Sequence, residues 1–323
     1  MYRKISAIVL STLIAAAIII FMLARVWDDL ILALEHADWI YLLAATAVCI
    51  AAWFLRGFRY QKILAGLDIP VGLYFSTACI FVSQTANLII PARLGDLVRV
   101  FILKHEYDAT ISEGISSIVV ERVFDIVTVA MLGAVSLLFV IDAPDWFYTL
   151  IILPLVAGVI FFGFLLFVGK FSAKNRYLKI ILTMLEQIRQ ASLTFRAMVV
   201  LTTESIIIWM FDVAVCFFVV MMFGESIPFA LIVLAIVIGN LVKAVPLTPG
   251  GVGTYELAVA LTFSLAGVSP AVATLIAVID HLLKNLVTLA GGIVSIYYFG
   301  GWVVDTMKSA FRKELSGGNE PGV

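Results

Sequence analysis

Two short clusters of ionisable side chains sit inside long apolar runs. "ERVFD" carries Glu121, Arg122 and Asp125, and "DHLLK" carries Asp280, His281 and Lys284. A charge facing lipid costs about 2.5–3.5 kcal/mol on the insertion scale. Glu121/Asp125 and Asp280/Lys284 are one helical turn apart, so each pair shares a helix face, and that face must look into protein. Two Pro/Gly breaks add to the set. "NLIIPARLGDLVR" brings Asn87, Arg93, Asp96 and Arg99; "VKAVPLTPGGVGTYE" brings Lys243, Gly250, Gly251, Gly253 and Glu256. Backbone N–H groups freed at a break, the helix N-terminus that follows and a nearby Arg or Lys together bind anions, notably phosphate. The acids then balance those cations or carry protons. The bland alternative is that acids and bases pair with one another and only fix helix packing. Charges inside a membrane span mark a site by default, and the convergence of the whole set with two breaks favours function. Asp212, alone in its apolar run, reads as a bonded packing partner. Asn87, Asn240 and Asn285 serve equally well as helix-break caps or as ligands.

The elements that must position these groups are membrane helices. The chain has 323 residues, is 63% hydrophobic and 13% charged, and has a mean hydropathy of +1.12. A soluble domain is nearer 45–50% apolar and about 25% charged. The net charge of −1 identifies no partner. Cys49, Cys79 and Cys216 fall in apolar runs without a Cys/His cluster, and His36, His105 and His281 are widely separated, so no metal or redox centre is expected. No nucleotide loop and no Ser/His/Asp set is present either, which speaks against catalysis.

Spanning the hydrocarbon takes about 20 apolar residues. Runs 5–24, 38–55, 114–141, 146–168, 199–223 and 270–299 meet or approach this length. Runs 71–90 and 227–245 each end in a Pro/Gly break, followed by "LVRVFILK" and "LAVALTFSLAG", which are too short to cross. Each pair is expected to be a hairpin that enters and leaves on one side. Cytoplasmic loops carry the excess of Lys and Arg. Six crossings, two re-entrant hairpins and a cytoplasmic N-terminus put most of the 21 Lys and Arg inside, with Arg56, Arg59 and Lys62 counted in the first cytoplasmic loop. Letting every apolar run cross reverses that bias. Between spans, 175–197 alternates apolar and basic residues as an amphipathic surface helix would.

The break occurs twice. Pro91-x-x-Leu94-Gly95 and Pro249-x-x-Val252-Gly253 each precede an acid, Asp96 or Glu256. At nearly the same separation, 121–136 lies over 280–295, with Gly133 and Ser136 on Gly292 and Ser295. An internal duplication follows, with the halves inverted by the topology above. Broken helices at corresponding positions of inverted repeats point to a transporter, with its site near the midplane.

Taken together, "NLIIPARLGDLVRV", "VVERVFDIV" and "PLTPGGVGTYELAVAL" resemble the flippase-like family typified by the transmembrane part of lysylphosphatidylglycerol synthases. Asn87, Pro91, Arg93, Gly95, Asp96 and Arg99 match that family's first motif. Glu121, Arg122 and Asp125 match the second, and Pro249, Gly250, Gly251, Gly253 and Glu256 the third. The resemblance implies movement of lipids such as aminoacylated phosphatidylglycerol, lipid-linked sugars or hopanoids. Two departures stand out. No aminoacyl-transferase domain follows residue 300, so the synthase reaction is not expected. Where many relatives carry Arg, this chain has His281, whose charge depends on pH.

The expected protein is an all-α polytopic membrane protein of six transmembrane helices and two re-entrant hairpins in an inverted repeat. The first repeat covers 1–141 (hairpin 71–103), the second 142–303 (amphipathic helix 175–197, hairpin 227–267), and 304–323 is a cytoplasmic tail. It sits in the cytoplasmic membrane with both termini inside. Its partners are membrane lipids, an anionic head group being the substrate, with self-association open and nucleic acid excluded; no cofactor is called for. The alternative is a membrane enzyme or accessory subunit acting on phospholipid or lipid-linked sugar.

Overall fold

The computed structural model describes residues 13, 16–24, 27–90, 93–140, 144–172, 175–245, 248–265 and 267–305. Much of the first predicted span, Pro91, Pro246 and the tail from 306 onward lie outside the described residues. The described chain is helical, without a strand. Its helices are α1 (Trp27–Glu35), α2 (Ile40–Ala65), α3 (Leu73–Ile89), α4 (Asp96–Tyr107), α5 (Ile111–Leu137), α6 (Asp145–Leu165), α7 (Arg176–Ser192), α8 (Phe195–Met222), α9 (Phe229–Ala244), α10 (Thr254–Leu265) and α11 (Pro270–Phe299). Single 3-10 turns lie at Val168–Lys170 and Pro249–Gly251.

Four stretches are long and apolar enough to cross a bilayer: α2, Asp145–Lys170, α8 and α11. The 27 residues of α5 give it the length as well, but Glu121, Arg122 and Asp125 interrupt its apolar surface. At 17 and 16 residues, α3 and α9 fall short of the roughly 20 a crossing needs. The helix ends follow local sequence. Thr110 and Glu113 form a reciprocal capping box at the start of α5. Ser269 caps α11, whose first residue is Pro270, a position where the missing N–H costs nothing.

Both short helices fold back. Phe75 near the start of α3 meets Tyr107 at the end of α4, ring centroids 4.8 Å apart, while Asn87 and Asp96 bond at the turn. In the second hairpin Gly239 of α9 lies against Tyr255 and Val259 of α10.

α2 and α8 run side by side and antiparallel, because partners descend in number as they ascend: Arg56 with Asp212, Arg59 with Ser205, Lys62 with Glu204. At 1.5 Å per residue α2 is about 39 Å long. The loop leading into the first hairpin, after α2, therefore lies at the opposite end of the bundle from the loop leading into the second, after α8. In addition α3 packs on α11 and α9 on α5. The matched glycines sit at these crossings. A Cβ on Gly292 would fall 1.9 Å from Thr85 Oγ1, and one on Gly133 would fall 2.8 Å from Val237 Cγ1.

One expectation needs correcting. Arg56, Arg59 and Lys62 do not lie in a loop, since α2 continues to Ala65. Acids on the neighbouring helices, Asp212, Asp125 and Glu204, make those cations tolerable within the bundle. Counting apolar residues ends the helix at its first charge; pairing across helices extends it.

Candidate functional site

The two breaks share a backbone device. In the first, Arg93 adopts a left-handed φ of 57°; in the second, Gly250, Gly251 and Gly253 have φ of 63°, 78° and 85°. Arg93 falls on Gly251 when Pro91 is set over Pro249. A non-glycine residue held left-handed stores about 1–3 kcal/mol and tends to mark a functional turn. The two tips touch. Gly250 lies beside Leu88, and Arg93 Nη2 donates to the Lys243 carbonyl at 3.4 Å.

Beneath the touching tips is a cavity of about 370 Å³. Asn87, Arg93, Glu121, Arg122, Asp125, Lys243, Gly250, Gly251, His281 and Lys284 all line it. Asp96, Arg99, Gly253, Glu256 and Asp280 stand one layer behind and hold the lining groups. Glu121, Asp125, His281 and Lys284 lie near the middle of α5 and α11, so the cavity sits at mid-length of the bundle.

The outer layer explains the inner one. Asp96 receives Arg122 Nη2 at 2.9 Å and Asn87 Nδ2 at 3.0 Å. Glu256 receives the Gly253 N–H at 2.8 Å and is 2.8 Å from His281 Nδ1. The two arrangements are alike: the acid after each break holds the second residue of a long-helix cluster, Arg122 or His281. Arg99 is fully buried against Glu121 at 2.5 Å and lies over the Tyr60 ring. Asp280 accepts from the Tyr255 hydroxyl at 2.7 Å and from Lys284. Glu256 thus takes the Gly253 N–H at the N-terminus of α10 with the chain's own carboxylate. Side chains also offer positive charge to the cavity.

Those side chains can be identified by elimination. Arg56 pairs with Asp212, Arg59 with Asp125, Arg99 with Glu121, Arg122 with Asp96, and Lys284 with Asp280. Among the described residues, Arg93 and Lys243 make no ion pair. Lys243 Nζ sits 3.0 Å from His281 Nε2 and over the Tyr255 ring. With Lys243 as an ammonium, Nε2 accepts from it and Nδ1 carries the hydrogen given to Glu256. Arg56, Arg59, Arg93, Arg99, Arg122, Lys243 and Lys284 then stand against Asp96, Glu121, Asp125, Asp212, Glu256 and Asp280. His281 aside, the cluster has one more cation than acid.

Sequence reasoning overlooked part of the wall. Arg56, Arg59, Trp209 and Asp212 line the cavity too. Asp212 is bonded, as expected, yet its partner Arg56 also faces the cavity. The available signal was the spacing of Arg56 and Arg59, three apart on one face of a helix that had been ended too soon. Among the described residues no group of His, Cys, Asp and Glu is arranged to hold a metal ion.

The family described as the lysylphosphatidylglycerol synthase TM region matches residues 8–292. The protein named glycosyltransferase AglD of Haloferax volcanii is 34% identical over 83% of this chain and 50% of its own. The chain thus spans half the length of that relative. A UPF0104 membrane protein of Methanocaldococcus jannaschii is 28% identical over 65% of this chain and 92% of its own. Another, from Methanothermobacter thermautotrophicus, is 23% identical over 85% and 90%.

Proposed function

The chain belongs to the family of the lysylphosphatidylglycerol synthase transmembrane region and is a polytopic membrane protein; from that premise we propose that it moves an anionic, phosphate-bearing lipid or lipid-linked precursor across the cell membrane. One observation carries the reading. Two broken hairpins meet over a cavity, and Arg93 and Lys243 bring to their junction cations that make no ion pair with a carboxylate. A cation so placed favours an anion, and left-handed turns at both tips let backbone approach it closely. The similarity to a protein named a glycosyltransferase supports lipid-linked precursors as cargo alongside phospholipids.

In this reading the halves 1–141 and 142–303 form an inverted repeat of six crossings and two re-entrant hairpins, with both termini cytoplasmic. The antiparallel run of α2 and α8 and the reciprocal packing of each hairpin on the other half's long helix support it. Rocking one half against the other opens the junction to each side in turn. Asp96 and Glu256 keep Arg122 and His281 in place, and the head group binds at Arg93 and Lys243.

Proteoliposomes test this directly. Flipping of a fluorescent anionic phospholipid, read by dithionite quenching, should fall at least about tenfold in Arg93→Ala and in Lys243→Ala, the loss of one charge-assisted contact. Arg122→Ala and Glu256→Ala should slow it as well. Wild-type rates in all four variants would overturn the proposal.

A further inference from the structure

The contact between Lys243 and His281 limits how many protons the two can hold. Lys243 Nζ lies 3.0 Å from His281 Nε2, and His281 Nδ1 lies 2.8 Å from Glu256 Oε1. An ammonium and an imidazolium both only donate, so they cannot face each other across the first of these hydrogen bonds. As they stand, Lys243 and His281 together carry at most one positive charge. While Lys243 covers Nε2, the ring has no nitrogen open to a further proton.

The surroundings contain a partner for the charge that is missing. Asp96, Glu121, Asp125, Asp212 and Asp280 each pair with an arginine or a lysine. Among the described residues, Glu256 pairs with no cation other than His281. From α10, the Tyr255 ring also faces the imidazole, with centroids 4.5 Å apart. On α11 itself, Asp280 is held by Tyr255 and Lys284. Against α11, α8 brings Asp212 and the buried thiol of Cys216, α2 brings Arg56, which holds Asp212, and α3 carries no charged residue. Arg93 reaches the Lys243 carbonyl from the other tip. A charged imidazole would therefore complete an ion pair with Glu256, and what stands against it is the lysine at Nε2.

The lysine head can leave while its stem stays. A Cβ on Gly251 would fall 2.5 Å from Lys243 Cγ, so this glycine gives the stem its place against the tip. Nζ lies three bonds further out, between Nε2 and the Tyr255 face. An anion at the junction attracts that ammonium, and its negative charge offsets a second positive one.

We propose that Lys243 and His281 couple anion binding to proton uptake. An anion seated on Arg93 and Lys243 draws Nζ away from Nε2, and Nε2 takes a proton from solvent to give an imidazolium paired with Glu256. When the anion leaves, Lys243 returns and the proton goes back to solvent; only this N–H bond forms and breaks. A monoanion enters with one proton, so the total charge of the site is unchanged. The inference rests on the anion-transport reading and deepens it by naming the ion taken up with the substrate.

Calorimetry on the full-length protein in detergent tests it. The probe is dihexanoyl phosphatidylglycerol, a phosphodiester that keeps one negative charge between about pH 5 and 8, where imidazole titrates. Titration in two buffers of different ionisation enthalpy gives the protons taken up per anion. Wild type should take up close to one at the centre of this range, and its affinity should fall by up to about tenfold per unit as the pH rises. In His281→Gln the amide can accept from Lys243 and donate to Glu256 but binds no proton. That variant should bind the probe with no uptake and with an affinity independent of pH; His281→Arg, a fixed cation, should show no uptake either. Binding to wild type without uptake, or an uptake that survives in His281→Gln, would overturn this inference and leave the anion reading standing. No binding of the probe at any pH in the range would overturn both.

Discussion

Arg93 and Arg99 sit six positions apart in one motif and face opposite fates on substitution. Arg99 is wholly buried, and its guanidinium holds the Glu121 carboxylate. Arg99→Ala leaves a buried charge without its partner, a loss of about 3–5 kcal/mol, to be measured as unfolding in detergent. Arg93 is different. It makes no ion pair, and its backbone stands at φ 57°. Arg93→Gly should stabilise the fold by roughly 1 kcal/mol through relief of that strain, while anion affinity falls. A stability gain joined to a functional loss is the signature of a residue kept for its ligand; a loss of stability there would contradict the assignment.

At the scale of the element, the hairpins are placed by close helix approach. Thr85 of α3 donates to the Thr288 carbonyl of α11 at 3.0 Å, directly over Gly292. A side chain at Gly292 cannot be accommodated by the far end of a flexible neighbour, because the obstacle is the short Thr85 itself. Gly292→Val should therefore cost about 1–3 kcal/mol by overpacking and shift the first tip away from the second. Tryptophan fluorescence on titration with an anionic detergent, with Trp53 and Trp209 as reporters beside the cavity, should show weakened binding even where the variant still folds. Unchanged binding would mean that the tips do not depend on this crossing.

For the whole molecule, the antiparallel course of α2 and α8 puts Asp68 and Ser226 at opposite ends of the bundle. Single cysteines there, in a background lacking Cys49, Cys79 and Cys216, should react from opposite sides of an intact cell with a maleimide that cannot cross the membrane. Labelling of Asp68→Cys only after permeabilisation, and of Ser226→Cys without it, is the outcome for cytoplasmic termini. Labelling of both from one side would remove the inverted repeat.

The sequence alone was enough for the class of protein, the two breaks and the two charged clusters, because hydropathy, proline and glycine act locally and the charges inside greasy runs are conspicuous. It also determined which glycines match, though not what they touch. The tertiary structure decided which charges are spent. Asp96, Arg99, Glu256 and Asp280 look like ligands in a one-dimensional reading, yet each is bonded to a partner up to 26 positions away. Arg56 and Arg59 were missed for the complementary reason: their partners lie on helices 156 and 66 positions distant. Whether a buried charge is free to bind depends on what folds against it, and spacing along the chain carries no record of that.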